Sequence, residues 1–270
     1  MFIKSILCAY SGDAARGSGL RHAVKLARNH NAQLTGVLRH GTSAVSGRYA
    51  LEVPENLLER LREIDAAHIE EVAKRFHQIT SEAGLRDTEF VEIDPEKDGS
   101  LSAFARAFDL VVTGVPQDAA VESHLSCHPD VLALKSGRPV LVVPHGYEAE
   151  GLADRAVVAW DGKRSAARAL GDAMDVLAEK SHVTLLTVGP GTFGTERIAQ
   201  NMARHGISVD TRTVPRDGSI AQTLLAEAQR DGAKLMVMGA YEHSKFAHDI
   251  FGGVTTDVIA HAPFPIFLAH

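Results

Sequence analysis

The sequence predicts an α/β chain made of two doubly wound, five-stranded parallel-sheet domains. Three observations predict it. Short apolar runs alternate with amphipathic helical stretches along all 270 residues, the pattern of βα units whose sheet is covered on both faces. The order of elements in the first half recurs in the second. Short strings also recur at matching places. Asp109-Leu-Val-Val-Thr-Gly114 answers Lys234-Leu-Met-Val-Met-Gly239, Ser136-Gly-Arg-Pro-Val-Leu-Val-Val-Pro144 answers Ala262-Pro-Phe-Pro-Ile-Phe-Leu-Ala269, and Asp98-Gly-Ser100 answers Asp217-Gly-Ser219.

The elements follow in order. Ile3–Ala9 reads as a strand, and Ser18–Arg28 as a helix with Leu20, Ala23, Val24 and Ala27 at helical spacing. Gln33–Leu38 is the second strand. A long helix is predicted over Pro54–Glu82, with Leu57, Leu58, Leu61, Ile64, Ile69, Val72 and Phe76 as one apolar stripe. Pro54 suits its first turn and Gly84 its end. Thr88–Ile93 alternates as a strand, a short helix covers Ser100–Ala107, and Leu110–Thr113 is a strand. Pro129–Ser136 is helical and Pro139–Val143 closes the first set.

The second set has strands at Arg155–Trp160, His182–Val188, Ser208–Val214, Lys234–Met238 and Pro265–Ala269. Its helices are Ser165–Ala178, Gly194–His205, Ile220–Gln229 and Thr255–His261. The Gly- and Glu-containing stretch His145–Asp154 is the seam, which sets domains at 1–147 and 153–270.

Composition narrows the function. A net charge of −6 with interspersed Lys and Arg gives no electrostatic case for nucleic acid. No apolar run approaches the ~20 residues of a membrane span, and the N-terminal run lacks a basic leader and cleavage site. Two cysteines, Cys8 and Cys127, make no disulfide framework. Cytoplasmic residence is the expectation.

The most informative stretch is Gly239-Ala-Tyr-Glu-His-Ser244, continuing to Gly252-Gly-Val-Thr255. It follows a buried strand, and its glycines open a helix, an arrangement that presents backbone N–H groups to an anion. Turn chemistry alone is the plain alternative. The spacing resembles the universal stress protein family, whose pattern is Gly, two residues, Gly, nine residues, Gly, then Ser or Thr. Val157-Val-Ala-Trp-Asp-Gly162 resembles that family's first strand, which ends in an Asp facing nucleotide.

The resemblance implies two units of the adenine-nucleotide α-hydrolase type, packed as an intramolecular pseudo-dimer through antiparallel closing strands, here Val140–Val143 and Ile266–Ala269. It implies a stress-response protein binding ATP or another adenine nucleotide, with Mg accompanying ATP, in the C-terminal half. Asp161 matches the acid near adenine and ribose. Val188, or a strand-end neighbour, matches a backbone contact to the base. Gly239 and Ala240 match the start of the glycine motif, and Gly252, Gly253, Val254 and Thr255 its phosphate-holding end.

Two positions depart from the pattern. Glu242 stands where the second glycine belongs, and Gly253 where Ser or Thr belongs. A carboxylate about 4 Å from phosphate costs ~1 kcal/mol in water-like dielectric and several at a protein surface. The N-terminal half lacks the later glycine pair, and Asp13 is at best a shifted counterpart of Asp161, so that half reads as a copy without nucleotide.

Other readings compete. A nucleotide-independent interaction scaffold and a slow ATP hydrolase both remain, as does further pairing of two chains. His124, Cys127 and His128 offer zinc-type ligands but read better as loop. His243 and His248 lie between the glycines, either near phosphate or in solvent. Tyr10, Ser11 and Ser244 lack a nucleophile elbow or an assignable base, so no catalytic residue is assigned. Trp160 is expected to pack, or to flank adenine.

Overall fold

The computed structural model describes residues 3–12, 17–39, 55–94, 98–115, 129–152, 154–240 and 253–270. The first half contains β1 (Ser5–Ala9), α1 (Gly17–His30), β2 (Gln33–Arg39), α2 (Glu55–Glu82), β3 (Thr88–Ile93), α3 (Leu101–Phe104, extended by a 3-10 turn Ala105–Ala107), β4 (Leu110–Gly114), α4 (Pro129–Lys135) and β5 (Val140–Val143). The second contains β6 (Arg155–Ala159), α5 (Arg164–Ala178), β7 (His182–Val188), α6 (Thr195–Arg204), β8 (Val209–Val214), α7 (Ile220–Arg230), β9 (Leu235–Gly239), α8 (Val254–His261) and β10 (Ile266–Ala269).

All ten strands join one sheet in the order β3-β2-β1-β4-β5-β10-β9-β6-β7-β8. Each half is parallel within itself, and the halves meet where β5 and β10 pair antiparallel. The register there sets Val142 against Ile266, Leu141 against Phe267 and Val140 against Leu268. These strands are buried on both faces, which is why they read as unbroken apolar runs. The expected contact between closing strands is therefore present.

Buried residues of α1, α2, α5 and α6 form the core on one face, and those of α3, α4, α7 and α8 the core on the other. Local caps repeat with the fold. The Ser100 hydroxyl accepts from the Ala103 amide at the start of α3. Ser219 accepts from Gln222 at the start of α7, where the Gln222 side chain returns a bond to the Ser219 amide.

One expectation fails on α2. Val72 and Phe76 are buried, but Leu57 is 47% and Ile64 63% exposed. A helix of 28 residues is ~42 Å long, whereas the seven-residue strand β2 is only ~23 Å. The N-terminal part of α2 therefore extends past the sheet. The side chains of Leu58 and Leu61, and Pro54, lie outside the described residues.

Candidate functional site

In each half the first strand has a parallel neighbour on both sides, and the chain leaves it towards one side and returns on the other. Strand β6 lies between β9 and β7. The carboxyl ends of β6 and β9 thus flank a switch point, where open α/β sheets form their ligand crevice.

At the end of β6 the Trp160 amide donates to the Leu186 carbonyl at 2.8 Å. The indole is buried within the core beneath α5 and α6, so it packs rather than presenting a face to ligand. Asp161 follows and is exposed. Its Oδ1 accepts the Lys163 amide at 3.0 Å, which turns the chain into α5. Gly162 has φ +79°, the left-handed conformation this turn requires.

Gly239 ends β9. A Cβ there would come within 2.6 Å of the Ala166 amide nitrogen and of Ser165. The N-terminus of α5 lies directly against the strand, so this glycine has a packing reason of its own. Ala240 is fully buried. Its amide donates to the Ala269 carbonyl at 2.8 Å, and its carbonyl lies 2.7 Å from Nδ1 of His270, which donates to it. With its amide engaged in this way, Ala240 presents no N–H to a ligand.

Gly253 caps α8 with φ +130° and open space where a Cβ would point. Gly253 itself has no side chain with which to cap α8. Val254 is half-buried, Thr255 is buried and Asp257 is an exposed acid in the first turn. Val188 is half-buried at the end of β7, followed by Gly189, whose amide donates to the Val214 carbonyl. Gly252, Glu242, His243, Ser244 and His248 lie outside the described residues, as do Asp13, His124, Cys127 and His128.

Sequence reasoning missed three features of this edge. Lys163 and Arg164 are exposed beside Asp161 at the start of α5. The loop after β7 returns so that Thr192 packs 3.2 Å from the Cβ position of Gly162. Thr195 donates to the Thr192 carbonyl at 2.9 Å, which leaves Thr192 to donate to Thr195 Oγ1 at 3.0 Å. Only the Gly189–Gly194 glycines hinted at this loop.

The matching edge of the first half is closed. The Tyr10 amide donates to the Val37 carbonyl as Trp160 does to Leu186, and Gly12 has φ +79° like Gly162. Ser11, not Asp13, therefore occupies the place of Asp161. Helix α2 fills the crevice: Val72 Cγ2 lies 2.2 Å from the Cβ position of Gly12, and Arg75 Nη1 donates to the Gly12 carbonyl at 2.8 Å. Burial raises the Tyr10 phenol above its usual range, partly offset by Arg75.

A cavity of about 310 Å³ lies instead at the seam, lined by Arg21, His22, Lys25 and the linker residues Tyr147–Glu150. The linker is strapped down there: Lys25 Nζ donates to the Ala149 carbonyl and Lys180 Nζ to the Leu152 carbonyl. No group of three or more metal-type ligands occurs among the described residues. No helix among them is long and apolar enough to cross a membrane.

Residues 192–270 match the universal stress protein family. Solved structures extend the likeness to the whole chain. A universal stress protein from Archaeoglobus fulgidus is 17% identical, with a TM-score of 0.76 over 98% of this chain and 95% of that one. A protein of unknown function from Pseudomonas aeruginosa is 18% identical, with a TM-score of 0.57 over 99% and 92%. A universal stress protein crystallised with cAMP is 20% identical over 53% of this chain and 98% of that one, with a TM-score of 0.37. No protein of curated description matches. The chain thus has the universal stress protein fold twice over, in a tandem arrangement.

Proposed function

We propose that the C-terminal half, as a unit spanning 153–270, binds an adenine nucleotide at the carboxyl ends of β6 and β9, with ATP as the first candidate. The observation that carries this reading is the difference between the two crevices. In the second half Asp161 is exposed at the end of β6 and α8 opens on Gly253 with open space at its Cβ position; in the first, Val72 and Arg75 pack against Gly12, which follows the residue equivalent to Asp161.

Asp161 holds the ribose hydroxyls, and the backbone at Val188 meets the base. The amides at Gly253, Val254 and Thr255, with Gly252 before them, hold phosphate through the partial positive charge of the helix end. Lys163 and Arg164 supply the countercharge that Glu242 and Asp257 oppose. Mg would accompany the triphosphate. The residue set supplies binding and ordering, so the activity is sensing of a nucleotide in a stress response. The unit 1–147 is then its non-binding partner copy.

Calorimetric titration tests this. ATP binds the intact chain, and Asp161→Ala weakens it by roughly tenfold or more, the loss of a hydrogen bond to a charged group. Glu242→Gly tightens it. Absence of heat at millimolar ATP, with no nucleotide released on denaturation, would establish the nucleotide-independent scaffold that Glu242 favours.

A further inference from the structure

Phe193 is 100% exposed, whereas the other exposed large apolar side chains among the described residues, Leu57, Ile64 and Ile220, are each partly covered. A phenyl ring held entirely in water gains nothing from the fold. Its place in the chain is specific. The loop leaves β7 at Val188, and at Thr192 it packs on Gly162, the residue after Asp161. It therefore bridges the two positions assigned to the base and ribose, with Phe193 next in line. The loop is also built to reorient: Gly189 has φ +95° and Gly194 has φ +82°, flanking Pro190 and Gly191. The Thr192–Thr195 bonds hold its far end to α6. Among the described residues no other aromatic is exposed at this edge, because Trp160 is buried in the core.

We infer that Phe193 is the side chain that stacks on the nucleobase, closing over a purine ring laid between Val188 and Asp161. The inference rests on the nucleotide reading above and adds the contact that distinguishes a nucleotide from bare polyphosphate. An aromatic face recognises a π-system and leaves the phosphate contacts to α8.

The test titrates ATP and inorganic triphosphate separately into the full chain and into Phe193→Ala and Phe193→Tyr. Phe193→Ala weakens ATP by about 5- to 150-fold, the range for one base on one aromatic ring, and leaves triphosphate unchanged. Phe193→Tyr keeps ATP binding. Because the ring is fully exposed in the folded chain, the alanine variant keeps its melting temperature. Undiminished ATP binding by Phe193→Ala overturns the stacking role while leaving the nucleotide site standing. Equal loss of triphosphate also overturns it, assigning the loop to phosphate instead. If the unaltered chain binds neither ligand, the nucleotide reading falls and this role with it.

Discussion

His22 shows how much one buried side chain sets. Burial, then the charges of Lys180 and Lys25, brings its pKa down to about 4. Nδ1 has no hydrogen-bond partner among the described residues. Above pH 6.5 the histidine is neutral folded or unfolded and costs nothing. Between pH 6.5 and 4 the unfolded chain takes up a proton that the folded chain refuses, so stability falls with pH by up to about 3 kcal/mol. Urea melts of His22→Gln should lack this slope; an unchanged slope would place its origin elsewhere. The same scale accounts for a shift the sequence shows. The sequence offers Asp13 only as a shifted counterpart of Asp161, and the shared left-handed glycines Gly12 and Gly162 show that Ser11 is the residue in register with it. Backbone conformation is not written in residue spacing.

At the scale of elements, the helix starts carry the functional geometry. Gly239→Ala puts a methyl 2.6 Å from the Ala166 amide. Backbone cannot yield as a flexible side chain does, so a loss of roughly 1–3 kcal/mol in chemical melts is expected. No loss would show that α5 is less closely seated. At Gly253, φ +130° is a glycine-only conformation. Gly253→Ala should cost about 1–3 kcal/mol in strain and weaken nucleotide binding as the end of α8 shifts. Strand and helix positions were legible because the periods of two and 3.6 survive in single sequences. The overshoot of α2 was not, because amphipathic spacing records a helix's own face and says nothing of where the sheet beneath it ends.

At the scale of the whole molecule, the β5–β10 seam makes two sheets into one. Phe267 is 1% exposed there and registers with Leu141. Phe267→Ala should destabilise the chain by about 3–5 kcal/mol, seen as a lower urea midpoint for both halves together. A separate transition for each half would show that the seam does not couple them. The internal repeats made this doubling legible, since matching strings at Asp109–Gly114 and Lys234–Gly239 mark equivalent strands. The asymmetry between the halves was only partly legible. Missing glycines after Gly114 hinted at a lost site, but the closure depends on Val72 and Arg75, which lie more than thirty residues before β4 in sequence. On the proposed reading, with Val72 and Arg75 packed over Gly12 in the first half, the chain takes one nucleotide. Calorimetric stoichiometry with ATP measures this directly: one site per chain, weakened by Asp161→Ala and retained by Ser11→Ala. Two sites per chain, or one site lost with Ser11→Ala and indifferent to Asp161→Ala, would contradict it.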